Sequence, residues 1–219
     1  MSAAFLRAFR LEGEGIVHGF GTRHLEEAAP ELLEELKEGC ARQVHGDRVL
    51  WVKDGVRPGA EEADALATDE ARLVAVRTAD CVPVLLADPR TGRVAAVHAG
   101  WRGTIARVVE RAVESLVRAG SRQEDLLAAI GPAIRACCYE VSPKLAARFE
   151  AAFGPGVRQG QNLDLAIANR ISLVRAGVSA ARIEVLDLCT FCDPRFHSFR
   201  REGERAGRQY SFVRGGSVS

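Results

Sequence analysis

LVAVRTADCVPVLLADPRTGRVAAVHAGWRGT, residues 73–104, holds two apolar runs rich in β-branched residues, 82–87 and 93–97, separated by Asp88-Pro89-Arg90-Thr91-Gly92. Proline and glycine are the usual punctuation of a tight turn, so the stretch predicts a β-hairpin. If Asp88 faces Arg93 across the loop, antiparallel pairing sets Cys81 opposite Gly100. Cys81 and His98 then become diagonal neighbours on one face, with Cβ atoms within roughly 8 Å. A thiolate and an imidazole in one space are either a metal site or a nucleophile with its base.

Beyond His98 the chain reads Ala99-Gly100-Trp101-Arg102-Gly103-Thr104, and apolar residues then recur at helical spacing from Ile105 until Gly120. This predicts a helix over 105–119 with Thr104 as N-cap. Glycines that admit a ligand, free N–H groups at the helix start and the Arg102 fork together suit an anion.

Further out, Gln43-Val44-His45-Gly46 precedes an apolar run at 48–52, so His45 shares the strand-and-glycine context of His98. A metal on Cys81 and His98 needs a third protein ligand, and imidazole is the commonest supplier. Asp64, among small residues, reads as a turn or capping residue that could alternatively orient a ligand. Asp80 precedes Cys81 and faces away from the thiol in an unbroken strand, which gives it a supporting role.

The flanks are conventional. Strands are expected near residues 5–9 and 16–20, an acidic amphipathic helix over 25–38, and a buried strand at 125–131. A helix follows Ser142-Pro143, another covers 163–176, and strands fall at 182–188 and 210–213. Cys137-Cys138 reads as a pair of small core residues that could instead line a pocket. Cys189-Thr190-Phe191-Cys192 lacks a second CxxC, so its thiols read as reduced and dispensable; a redox pair, or half of a four-cysteine zinc site with Cys137 and Cys138, is the alternative.

With 219 residues, 47% of them hydrophobic, the chain is sized for one sizeable core, and a single domain over 1–219 is expected. The net charge of +1 and the lack of a long basic cluster argue against nucleic acid, and no apolar run is long enough to span a membrane. Charges stand where a signal peptide needs its apolar centre, and the six cysteines are better read as thiols or ligands than as a disulfide framework, so a cytoplasmic protein is expected. The fold class is mixed α/β (α+β), with a β core containing the hairpin and helices packed outside.

TADCVPVLLADPRTGRVAAVHAGWRGT, together with QVHG, Gly131-Pro132-Ala133-Ile134, CCYEV and Phe199-Arg200-Arg201-Glu202-Gly203, resembles the laccase-domain family, also called polyphenol oxidases or peptidoglycan editing factors. The likeness runs from about Gly19 to about Val213. It implies a zinc-dependent purine nucleoside phosphorylase acting on adenosine, inosine and methylthioadenosine, with some adenosine deamination. His45, Cys81 and His98 match the family's zinc ligands. Arg23 and Arg102, with Arg200, are assigned as anion contacts and Asp80 as catalytic support, with Gln43, Gly100, Thr104 and Cys138 at the substrate. His24-Leu25-Glu26-Glu27 and Arg135 depart from the family pattern, which bears on substrate selectivity.

Three other readings compete. A thiol hydrolase would use Cys81 as nucleophile and His98 as base. A copper polyphenol oxidase fits less well, because a multicopper cluster consumes more imidazoles than the five histidines present and Met1 is the only methionine. The third is a non-catalytic, zinc-stabilised binding module.

Overall fold

The hairpin forms in the register its loop dictates. In the computed structural model, which describes residues 3–216, Asp88 pairs with Arg93 and Val82 with Ala99. Met1 lies outside the described residues.

The strands are β1 (Phe5–Leu6), β2 (His18–Gly21), β3 (Val49–Trp51), β4 (Ala65–Thr68), β5 (Leu73–Thr78), β6 (Val82–Asp88), β7 (Arg93–Ala99), β8 (Leu127–Ile130), β9 (Arg158–Gln159), β10 (Asn162–Leu163), β11 (Ile183–Val185) and β12 (Gln209–Arg214). Six of them form a sheet of order β11-β8-β6-β7-β4-β3, with the hairpin at its centre. Four form a second sheet, β1-β2-β12-β5, and β9 and β10 pair separately.

The helices are α1 (Phe9–Gly13), α2 (Leu25–Ala28), α3 (Pro30–Glu38), α4 (Trp101–Ile105), α5 (Val108–Arg118), α6 (Pro143–Phe153), α7 (Leu165–Arg175) and α8 (Phe199–Glu202). None is long and apolar enough to cross a membrane.

Why the hairpin strands read as nearly continuous apolar runs is now plain, because both of their faces are covered. Val84, Leu86, Ala95 and Val97 face a core filled by Val109, Val113 and Leu116 of α5, Phe149 of α6 and Leu173 of α7. The alternate residues Leu85, Ala87, Val94 and Ala96 face Phe20, Val74, Val76 and Val213 of the smaller sheet. That sheet's outer face is covered in turn by Leu33 and Leu36 of α3. The expected β core with helices outside is present, with a second sheet added as one of its covers.

Two expected helices are broken. The 25–38 segment divides at Pro30, whose ring removes a backbone donor and disfavours helix at Ala29. The 105–119 segment starts earlier, at Trp101 with Gly100 as N-cap, and turns at Arg107, whose φ of 69° is left-handed. That corner lets α5 lay its apolar stripe on the sheet. Thr104 is therefore inside α4 rather than its cap, and its buried hydroxyl accepts from Asn169 Nδ2 at 3.1 Å, tying α4 to α7. Ser142 and Pro143 begin α6 as expected, with the Ser142 hydroxyl accepting from the Leu145 N–H.

Candidate metal centre and adjoining cavity

His98 lies near the end of β7, and Cys81 immediately precedes β6. Continuing the alternation of both strands puts the two side chains on the face turned toward the smaller sheet. His45 arrives from the loop before β3 with φ 61°, a left-handed conformation that histidine tolerates better than most residues. Its ring stands edge-on to that of His98, with centroids 4.8 Å apart. Gly100 makes the approach feasible: a Cβ there would sit 3.0 Å from Cys81 Sγ and 3.1 Å from His45 Cδ2.

Asp64 organises the group from behind. Fully buried, its carboxylate accepts from the backbone N–H groups of Val44, His45 and Gly46 at 3.1, 2.9 and 2.7 Å, and from His98 Nδ1–H at 2.7 Å. The turn-and-cap reading captured half of this, and the other half is that Asp64 fixes the His98 ring with Nε2 left to the cavity. Burial works against the Asp64 charge, but the hydrogen bonds from His98 and the loop outweigh it and hold the carboxyl below its usual range. Burial likewise opposes charge on Cys81 and His98. The imidazole beside the sulfur, helped by His45, nonetheless draws the thiol down, while the sulfur and Asp64 hold the imidazole up. Cys81 is thus poised as a thiolate, the form that binds metals and attacks electrophiles.

The donor atoms of His45, Cys81 and His98 lie within 4.8 Å of one another, against roughly 3.3 to 3.8 Å between ligands of a tetrahedral zinc. One thiolate, two imidazoles and a carboxylate behind one imidazole fit a divalent metal with an open fourth position. The remaining histidines do not join them. His18 has both ring nitrogens engaged, by the Ala8 N–H and the Ile16 carbonyl.

The three residues open into a cavity of about 660 Å³. Tyr139, Ile134 and Phe199 give it an apolar wall, and Arg77, Arg200 and Arg208 also line it. Arg200 lies over the Tyr139 ring with Cζ 5.3 Å from its centroid. Sequence reading found Arg200 but missed Arg77, Arg208, Tyr139 and Phe199. Phe199 and Arg208 lie in the Arg- and Gly-rich stretch 196–209, and Tyr139 in the CCYEV motif, whereas Arg77 carried no sequence signal of its own.

Several expected site residues do other work. Arg102 is exposed, stacks over Trp101 with Cζ 4.9 Å from its ring, and does not line the cavity. Arg23 is also outside it, because its guanidinium is committed to Glu202 at 2.6 Å and to the Phe196 carbonyl. Gln43 lines the cavity, but its amide clasps the Arg77 backbone through both ends, at 2.8 Å each. Asp80 also lines it and, with φ 84°, breaks the strand; its oxygens accept from the Thr190 hydroxyl at 2.6 Å and the Arg200 N–H at 2.7 Å. It braces the wall carrying Arg200. Arg135 spans Asp164 and Asp187 rather than facing substrate.

Cys138 is likewise elsewhere. Neither it nor Cys137 is a core residue, and Cys189 and Cys192 do not lack partners: the four sulfurs lie within 4.8 Å of one another.

A family model described as multi-copper polyphenol oxidoreductase laccase matches residues 23–215. The chain belongs to this family. Among laccase-family relatives, the purine nucleoside phosphorylase of Deinococcus radiodurans is 43% identical, the match covering 78% of this chain and 67% of that protein. Adenosine deaminase RL5, from an unknown prokaryotic organism, is 36% identical over 78% of this chain and 72% of its own length. The crystal structure of YlmD from Geobacillus stearothermophilus superposes with a TM-score of 0.85 at 29% identity, covering 99% of this chain and 98% of that one.

Proposed function

We propose that this laccase-family chain is a zinc-dependent purine nucleoside phosphorylase, cleaving adenosine, inosine and methylthioadenosine with phosphate, and deaminating adenosine as a side activity. The names of its relatives support purine chemistry. The observation that carries the reading is one cavity lined both by a metal-type triad and by three arginines. Its volume falls within the range of small-molecule sites.

Each part has a role. Tyr139 and Phe199 offer faces for a purine base, and Arg77, Arg200 and Arg208 offer charge-assisted contacts for phosphate. Breaking the glycosidic bond passes through an oxocarbenium-like state, which an adjacent phosphate anion stabilises and then captures. Asp80, Arg23 and Gln43 hold the arginine-bearing wall in place. A zinc ion on His45, Cys81 and His98 would supply a Lewis acid with one open position. Zinc suits the donor set better than a copper cluster, which would need imidazoles that stand elsewhere.

A second reading also has an observation in its favour. Cys81, His98 and Asp64 have the nucleophile, base and orienter order of a thiol hydrolase. One experiment separates the two: incubate purified protein with inosine, with and without phosphate, before and after chelation. Phosphate-dependent release of hypoxanthine and ribose 1-phosphate that stops on chelation supports the phosphorylase. Free ribose formed at equal rates with and without phosphate overturns it.

A further inference from the structure

We propose that Cys137, Cys138, Cys189 and Cys192 hold a second, structural zinc ion that braces the outer wall of the cavity. Cys138 Sγ is 3.3 Å and Cys137 Sγ 3.8 Å from Cys192 Sγ, and all four sulfurs lie within 4.8 Å of one another. A zinc at the usual bond length to four thiolates sets its sulfurs roughly 3.8 Å apart. The four are therefore close enough together to share one ion. Soft thiolates without imidazole or carboxylate select a thiophilic ion, and four of them leave no position open.

Backbone geometry delivers the sulfurs as two pairs. Cys138 and Tyr139 both donate N–H to the Arg135 carbonyl at 2.9 Å, a tight turn that presents the vicinal pair. Ala133 bridges Cys189 in parallel, with Thr190 N–H donating to the Ala133 carbonyl at 3.1 Å, and this joins the second pair to the first. The cluster connects directly to the cavity. Tyr139 follows Cys138, and Thr190, inside the CxxC, donates to Asp80, which also holds Arg200. On binding, thiols still protonated release their protons to solvent and four Zn–S bonds form. No redox step is involved.

The test compares zinc content of reduced, full-length wild type, Cys81→Ser and Cys189→Ser/Cys192→Ser. Two, one and one equivalents are expected, and the double variant should melt about 5 °C or more below wild type. Cobalt titrated into Cys81→Ser should give the intense thiolate charge-transfer bands of a four-sulfur site. That measurement decides the matter even if the double variant fails to fold, and it is independent of the phosphorylase reading because the inner cluster's only sulfur ligand is absent. A metal-free Cys81→Ser chain whose mass is two hydrogens below the reduced value, showing a disulfide, would overturn the proposal. So would iron at the cluster, or a cobalt spectrum without sulfur bands.

Discussion

The two clusters of potential ligands are held in place by different means. Around His45, Cys81 and His98 the positioning is done by a buried charge: Asp64 gathers three loop N–H groups and one imidazole, and Gly100 leaves the rings room to close on the sulfur. Around Cys137, Cys138, Cys189 and Cys192 it is done by main-chain turns and a β-bridge, near the surface. Mixed donors leave a coordination position for chemistry, whereas four thiolates close the shell. On the functions proposed above, the inner cluster would react and the outer one would hold.

The sharpest way to break that contrast is Cys81→Ser. It should cost roughly a thousandfold in phosphorolysis, or about 4 kcal/mol of barrier, measured as kcat/KM for inosine. Activity near wild type would remove the inner cluster from the chemistry.

Asp64→Asn should cost roughly 10- to 100-fold in metal affinity or turnover, because His98 loses its anionic acceptor. It also carries a pH signature in metal-free protein. The folded Asp64 carboxyl sits below its unfolded value, so its stabilisation is complete above the ordinary carboxylate range and is lost as pH falls through the folded value. Urea midpoints of wild type and Asp64→Asn should therefore converge in acid and separate toward neutrality. Parallel curves would assign Asp64 a purely steric role.

Removing an arginine sharpens the comparison on the phosphate side. Arg77→Ala should raise the phosphate KM about 10- to 100-fold, the 1.5 to 3 kcal/mol of a charged hydrogen bond, with a smaller effect on nucleoside KM. Adenosine deamination, which needs only water, should be better preserved. Equal losses of both activities would make Arg77 structural. Arg102→Ala should be smallest of all, within about 0.5 kcal/mol in stability and twofold in turnover, since that side chain is exposed and outside the cavity.

Much of the inner cluster was legible because its geometry is local. The four-residue loop after Asp88 fixes the hairpin register, and register alone puts Cys81 beside His98. His45 could be shortlisted from its glycine context and from the family likeness. Asp64 could be only half read, because its distant partner His98 comes to it through the β4 and β7 pairing. The outer cluster was less legible still. The segments that carry Cys137 and Cys189 meet through a single parallel bridge, Ala133 to Cys189, and share no motif. Arg102 misled for a different reason: apolar periodicity detects a helix but not the left-handed corner at Arg107 that divides it. Arg77, on an exposed strand position, carries no local sign that it borders a cavity.

The placement of β12 has a consequence for biosynthesis. This late strand is interior to its sheet, flanked by β2 and β5, and Arg200 and Arg208 of the cavity come just before it. A nascent chain lacking residues 209–214 leaves β2 and β5 with unpaired edges facing an empty slot, a template for pairing with other chains. Ribosome-bound intermediates should accordingly need chaperone protection, and truncation before Gln209 should yield insoluble protein. Because these pairings span most of the sequence, closure of the smaller sheet is a late and slow folding event.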